Sequence, residues 1–405
     1  MPNRAWIVGD DGAVPKVLFI ALGSRGDVQP MAVLAGALVA SGVDVRVVAI
    51  EEYAPLVAGH GAGFVGIPGR LTDTLGRGRL AQGLARHPLG QLTLLRRWMN
   101  ALAVPLADAL LPLVERGDTL VAGVLGRGVA ASLAETHGCR VSTVVYTGQV
   151  PTLHRESHFY GQLISGWAPY DRWGTRLNWR LATGAGAALT REVRRRLGVR
   201  RWGSRTTCDH ADRHPTLIAA SPLVVPPAPD WGPGVHQTGW LAPPPVVDVP
   251  IPTPELADFL ARRPVHVGFG SLTAFTTEAE FDIVVEAARR SGVPVLTPAI
   301  AGVEPGEVTP GVHAHAPVPH EWLLPQVAAV VHHGGAGTTH AGLRAGGPVG
   351  GGAVGRRPAL PRAPVARPRR RPGTDLVAEA GRRPLGRSPA RPHRLGRPAL
   401  RRPGS

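Results

Sequence analysis

Residues 16 to 30 read KVLFIALGSRGDVQP: a short apolar run, KVLFIAL, then the glycine-rich loop Gly23-Ser24-Arg25-Gly26-Asp27, then Val28-Gln29-Pro30. That order predicts strand, loop, helix. Pro30 suits a first helical turn, Met31, Leu34, Ala35 and Leu38 repeat at helical spacing, and Gly42 closes the helix before a second strand, DVRVVAI, at 44 to 50. A strand–helix–strand unit with connections this short implies a parallel, doubly wound sheet whose sites lie at the carboxyl ends of its strands. Residues 1 to 15 precede the unit and are expected to form a loose extension.

Working outward, further strands are predicted at 119 to 125 (TLVAGVL), 140 to 146 (RVSTVVY) and 216 to 221 (TLIAAS), with helix-length segments at 89 to 115 and 185 to 197. One domain therefore extends to about residue 240. LAPPPVVDVPIPTPE, 241 to 255, has the proline density of a semi-rigid linker. A second alternation follows: PVHVGFGS (264 to 271) as a strand, a helix at 278 to 290, strands in VPVLTPA and VHAHAPV, and VAAVVHH (327 to 333) running into Gly334-Gly335-Ala336-Gly337-Thr338-Thr339 and a helix. The expected architecture is α/β, with two facing Rossmann-like domains at 16–240 and 264–346 joined by a linker at 241–263.

Composition narrows the function classes. The chain has 405 residues, 43% hydrophobic and 18% charged, which excludes global disorder. Cys139 and Cys208 are too few for a disulfide framework and lie in no zinc-ligand spacing, which fits a reducing cytoplasm. No run approaches the ~18 to 20 apolar residues of a membrane span, and the start, MPNRAWIVGDDGAVP, has neither a basic nor an apolar signal region. The formal net charge of +16 would suggest a nucleic-acid partner, but residues 347 to 405 hold 15 Arg against Asp375 and Glu379, leaving about +3 for the rest.

That last stretch also carries 11 Pro and 10 Gly with no Phe, Tyr, Trp, Ile, Met or Lys, so it is expected to be disordered. One reading is an Arg-rich nucleic-acid arm with salt-dependent phosphate contacts. The other is a reading-frame shift near codon 346, because GC-rich codons read out of frame yield Arg, Pro, Gly and Ala. Moving one base forward from Gly347 to Pro372 permits a string with a strand, a loop and a helix, including Gly-Asp-Gln-Pro-Phe over positions 356 to 360.

His333-Gly334-Gly335-Ala336-Gly337-Thr338 places small residues where a strand ends and a helix begins. The backbone there can approach a ligand closely, and the helix start offers free N–H groups and a positive dipole end, an anion-binding arrangement. A tight turn with a hydrogen-bonded histidine is the alternative. GSRGDVQP (23 to 30), GFGSLTAF (268 to 275), PVPHEWLLP (317 to 325) and HHGGAGTTHAGLRAG (332 to 346) occur in the order and spacing of GT-B glycosyltransferases. Over about residues 16 to 346 the chain resembles the bacterial subgroup related to vancomycin-type, macrolide and sterol glycosyltransferases.

The resemblance implies a carboxyl-terminal domain that binds a nucleotide-diphosphate sugar as co-substrate, an amino-terminal domain that binds the acceptor, and inverting transfer without metal or other cofactor. It also implies roles: His333, Gly335, Ala336, Gly337 and Thr338 hold the diphosphate, and Gly270 and Ser271 close on it. Trp322 lies where the nucleotide base is received, or packs in the core. The family's Asp-Gln pair after the glycine loop, which contacts donor sugar hydroxyls, is absent as written and returns in the shifted reading.

Inverting transfer is a single in-line displacement that needs a general base and an anion cradle. Asp27, at the mouth of the first strand, is the candidate base, with a helix N-cap as its alternative. Gly23, Ser24 and Arg25 form an acceptor and phosphate loop in which Arg25 either reaches phosphate across the cleft or stays solvated. His154 and His158 are weaker base candidates. His332 and His333 point to opposite strand faces, and His313 and His315 share a face without a third ligand, so no metal site is expected.

The expected function is hexose transfer from a nucleotide sugar to a hydroxyl of a small apolar or natural-product acceptor, with no specific nucleic acid and no membrane span. An inactive glycosyltransferase relic is the alternative, since the second domain as written lacks its last strands. A nicotinamide dehydrogenase is disfavoured, because GSRGD is not GxGxxG and no acid closes the second strand in the ribose-binding manner. The frameshift reading predicts an intact alternative frame across codon 346 in the nucleotide sequence; resequencing that finds none refutes it.

Overall fold

The computed structural model describes residues 16–69, 88–159, 161, 164–244, 252–270, 273, 276–300 and 302–351. The expected extension at 1–15, part of the linker, Ser271 and the tail beyond 351 lie outside the described residues.

A first, all-parallel sheet contains β1 (Lys16–Ile20), β2 (Asp44–Ile50), β3 (Gly63–Ile67), β4 (Thr119–Gly123), β5 (Arg140–Val145), β6 (Thr216–Ile218) and β7 (Val235–Gln237), in the order β3-β2-β1-β4-β5-β6-β7. Its helices are α1 (Arg25–Ala40), α2 (Ala54–Ala58), α3 (Pro88–Leu110), α4 (Arg127–His137), α5 (Ala168–Ala185), α6 (Ala187–Arg196) and α7 (Ser204–Ala211). Side chains alternate along β1, so Val17 and Phe19 join α1 residues in one buried cluster while Leu18 and Ile20 join residues of α3, α4 and α6 in another. Burial on both faces is why KVLFIAL is apolar throughout rather than alternating.

A second sheet holds β8 (Val265–Gly268), β9 (Val295–Pro298), β10 (Gly306–Thr309), β11 (Val312–His315), β12 (Ala329–His332) and β13 (Val349–Gly351), in the order β10-β11-β9-β8-β12-β13. Only β10 against β11 is antiparallel. The accompanying helices are α8 (Pro254–Ala261), α9 (Glu278–Ser291), α10 (His320–Leu323) and α11 (Ala336–Arg344). Strand order reverses between β1 and β4 in the first sheet and between β8 and β12 in the second, so each sheet opens a crevice at those carboxyl ends.

The structure departs from expectation in several places, one of them α8, which lies inside the expected linker at 241–263. β3, β7, β10 and β13 were not predicted, and all four are edge strands. An edge has one ladder partner and an exposed side, so it lacks the continuous apolar run that marks a buried strand. Helix α1 begins at Arg25, five residues before Pro30, so the proline sits inside the helix rather than at its first position. Order also continues past the compositional break at Gly347: Val349 to Gly351 pair with Val330 to His332 along the edge of β12. The Val349 side chain packs over Gly342 of α11, where a Cβ would come within 2.9 Å of it.

Two fully buried arginines tie the helices of the first domain together. Arg127 donates to Thr183 at 2.9 Å and to the Asp212 carboxylate, with its guanidinium 4.1 Å from the Trp179 ring centroid. Arg194 pairs with Glu135 and lies 3.7 Å over Trp202. Removing one partner leaves a charge out of water, whereas replacing the cation by an apolar side chain of like volume does not. Asp212→Ala is therefore expected to cost about 3 kcal/mol or more in urea unfolding, and Arg127→Met in the Asp212→Ala background to recover most of it.

Candidate functional site

The carboxyl end of β12 runs directly into His333, whose ring is wedged between two backbone segments. A Cβ at Gly270 would lie 2.5 Å from its Cε1, and one at Gly335 would lie 2.6 Å from its Nε2. Gly270 (φ +57) lies just after β8 and Gly334 (φ +89) turns the chain after β12, and both positions adopt the left-handed region that favours glycine. The Gly334 N–H donates to His332 Nδ1 at 3.0 Å. Gly335 then caps α11, and no side chain occupies that cap.

The first N–H groups of α11, on Ala336, Gly337 and Thr338, have no partner within the helix by construction. Gly334 to Gly337 are half-exposed or exposed, so this helix start is open, while Thr338 and His333 are buried. Trp322, on α10, packs against the apolar cluster of the second domain and also lines a pocket of about 470 Å³ with Trp240, His320, Gln326 and Arg344. Ser271, the expected companion of Gly270, lies outside the described residues.

In the first domain, the residues after β1 are held by a capping box. Ser24 is the N-cap of α1, and Asp27 Oδ2 accepts from the Ser24 N–H at 2.8 Å and its hydroxyl at 3.0 Å. Asp27 is thus the third residue of the helix and not its N-cap. Gly23 (φ +142) makes room for the carboxylate, since a Cβ there would sit 2.2 Å from Asp27 Oδ2. Tyr146 donates to the Asp27 carbonyl at 2.9 Å, and burial followed by the Asp27 charge pushes its phenol well above the usual range.

Arg25 is exposed and donates to Gln29 at 3.1 Å. Burial, and then the Arg25 charge, lowers the pKa of His320 on the second domain. His154 is exposed near Asp230, and His158 is buried in the loop that follows β5.

His340 is a neighbour of the site that the sequence motifs did not single out. Its Nδ1 lies 2.7 Å from the Ala336 carbonyl and its Nε2 accepts the Ser221 N–H at 2.9 Å, which ties α11 to the end of β6. That arrangement requires the neutral tautomer protonated at Nδ1, and burial lowers its pKa accordingly. Trp240 stacks on the same ring at 5.5 Å. The available signal was its place one helical turn after Ala336.

Behind the loop lies a group of histidines, of which His266, His315, His332 and His333 are buried and His320 is half-buried. His266 Nε2 is 3.3 Å from His315 Nε2, His320 stands edge-on to His266 at 6.2 Å, and His332 lies perpendicular to His333 at 6.4 Å. Among the described residues no group of three or more His, Cys, Asp or Glu is arranged to hold a metal ion. Burial lowers the pKa of His266, His315 and His320, and that of His332 to about 4.

Two open, doubly wound sheets, each with a glycine-rich loop beside its switch point, define a two-domain α/β architecture, and comparison with known proteins gives the family. No protein-family profile matches the chain. It is 30% identical over 356 residues to the O-mycaminosyltylonolide 6-deoxyallosyltransferase of Streptomyces fradiae, covering 82% of this chain and 79% of that one. It is 28% identical over 377 residues to a sterol 3-beta-glucosyltransferase of Cryptococcus neoformans, covering 82% of this chain and 22% of that protein. The chain thus spans about a fifth of the length of such fungal sterol glucosyltransferases.

Among solved structures, the glycotransferase of kitacinnamycin shares the fold with a TM-score of 0.56 and 19% identity, covering 83% of this chain and 80% of the other. The calicheamicin glycosyltransferase CalG4 does so with a TM-score of 0.54 and 20% identity, covering 83% and 79%. The chain belongs to the glycosyltransferase family that includes these macrolide and sterol enzymes, and its two sheets form the GT-B fold. Among the described residues no helix is long and apolar enough to cross a membrane.

The histidines give a pH dependence with a definite sign. A buried neutral histidine takes up its proton near pH 6.5 once unfolded, so between that pH and its folded value the unfolded chain binds more protons and stability falls as pH falls. For His332, held at about 4, the loss from pH 6.5 to 5 is about 2 kcal/mol. Thermal midpoints are expected to drop through this window, and less steeply in His332→Asn, which keeps an acceptor for the Gly334 N–H.

Proposed function

We propose that the chain transfers a hexose from a nucleotide-diphosphate sugar to a hydroxyl of a small apolar acceptor, with inversion at the anomeric carbon. The observation that carries this reading is the His333 ring set between Gly270 and Gly335 beside the open start of α11. The diphosphate would lie against the N–H groups of Ala336, Gly337 and Thr338, where backbone donors and the helix dipole favour negative charge. As the bond from C1 to the diphosphate breaks, charge gathers on the leaving oxygen, and the same donors stabilise it without a metal ion.

Asp27 is the proposed base. Its Oδ2 is engaged by the capping box, which fixes the carboxylate's orientation. The acceptor hydroxyl would give its proton to this carboxylate while attacking C1 from the face opposite the leaving group. Trp322 and its pocket are the proposed surroundings of the base. Relatives named for a sterol and for O-mycaminosyltylonolide support an apolar, polycyclic or macrolide-like acceptor. Two buried free thiols, Cys139 and Cys208, support a reducing cytoplasmic setting.

A second reading, an inactive relic, is favoured by the missing Asp-Gln pair after the glycine loop. A donor-and-acceptor screen separates the two when it is run on the chain as written and on a version restored to the shifted frame. Turnover only in the restored version assigns inactivity to the written end. In whichever version turns over, Asp27→Asn is expected to lower kcat by about 10²-fold or more. His333→Ala is expected to weaken nucleoside-diphosphate binding by about 10-fold or more in calorimetry. Wild-type constants in both variants would remove these residues from the site.

A further inference from the structure

Helix α5 is amphipathic in the reverse sense for a surface helix. Its inward row, spaced four residues apart, is Asp171, Thr175, Trp179 and Thr183, all buried. The polar groups of that row are satisfied within the protein. Asp171 accepts the N–H groups of Ser165 and Gly166, Thr175 and Thr183 donate back to the carbonyls of Asp171 and Trp179, and Trp179 Nε1 donates to Asp212. The outward side and the residue before it carry the large apolar groups: Trp167 (66% exposed), Tyr170 (50%), Trp173 (61%), Leu177 (36%) and Leu181 (60%).

Trp167 and Tyr170 stack at 6.5 Å, and Tyr170 and Trp173 meet at 6.4 Å, so the aromatics form one continuous ridge. Beside it run Arg172, Arg176 and Arg180, one turn apart and exposed, which with Pro169, Trp173 and Leu177 line a groove of about 250 Å³. Among the described residues none of these three arginines has an ion-pair partner. The only acid of the helix, Asp171, is turned inward.

We infer that the outward face of α5 is a docking surface for an anionic lipid bilayer. Trp and Tyr favour the zone between headgroup and acyl chain, Leu177 and Leu181 enter the apolar layer, and arginines in a flanking row keep their heads among lipid phosphates. A second copy seated on the same face would bring the arginine rows of both copies together, so charge complementarity favours the bilayer. The inference does not depend on the transfer reaction. Its consequence is that an apolar acceptor dissolved in the membrane is collected there.

The test is flotation of the full chain with phosphatidylcholine vesicles, with and without about 30% phosphatidylglycerol. The chain is expected to float only with the anionic vesicles, and lipids brominated near the headgroup end of the acyl chain to quench part of its tryptophan emission. Replacing the three arginines (R172Q/R176Q/R180Q) is expected to weaken binding roughly 100-fold, and W167S/W173S to abolish the quenching. All five side chains are exposed, so thermal midpoints should match the wild type. Absence of flotation or of quenching in the unmodified chain overturns the inference. So does wild-type affinity in the arginine variant, which would assign binding to the arginines after residue 351. A dimer that W167S/W173S dissolves in sedimentation also overturns it, since the face would then join two copies.

Discussion

The ring of His333 fits its slot only because Gly270 and Gly335 have no Cβ, and the second half of the molecule is arranged around that approach. Any side chain at either glycine would push the loop after β8 away from the loop after β12, at the point where strand order reverses. The two loops form the rim of one crevice, and the helix that starts at the second loop directs its unbonded N–H groups toward that rim. Steric exclusion by a missing carbon positions the loops; the helix then supplies the charge.

The mouth of β1 is organised by a related means. Gly23 makes room for the Asp27 carboxylate, and the carboxylate closes the capping box with Ser24, so a single acid starts α1 and stands at the mouth of β1. A carboxylate bonded to the first turn of its own helix is held in one orientation, as a base or an anchor must be. Around these loops the charges are few: Arg25 in the first domain and histidines held neutral by burial in the second. Neutral rings near an anion site add hydrogen-bond donors without the desolvation cost of buried cations.

Much of this is legible in the order of the amino acids. The strands that are buried on both faces, such as KVLFIAL and TLVAG, stand out because burial on two sides demands an unbroken apolar run. The glycine loops stand out because no other residue accepts those backbone angles. The edge strands β3, β7, β10 and β13 are illegible for the converse reason: half of each lies in water, and so few residues carry too little pattern. The start of α1 is misplaced because Pro30 outweighed a second local signal, the Ser24–Asp27 spacing of a capping box.

By itself the sequence determined that there are two doubly wound halves, that each carries a glycine loop after its first or late strand, and that Asp27 and His333 lie at the edges of those loops. These are properties of neighbouring residues, set by hydrophobic period and backbone sterics within about a dozen positions. Only the tertiary structure decided that His340 reaches Ser221 across 119 residues, that Arg25 and His320 share one space, and that α5 turns its tryptophans outward and its threonines in. Each depends on which surface the packed sheets leave for a side chain to meet, and that is settled by chain segments far away in sequence.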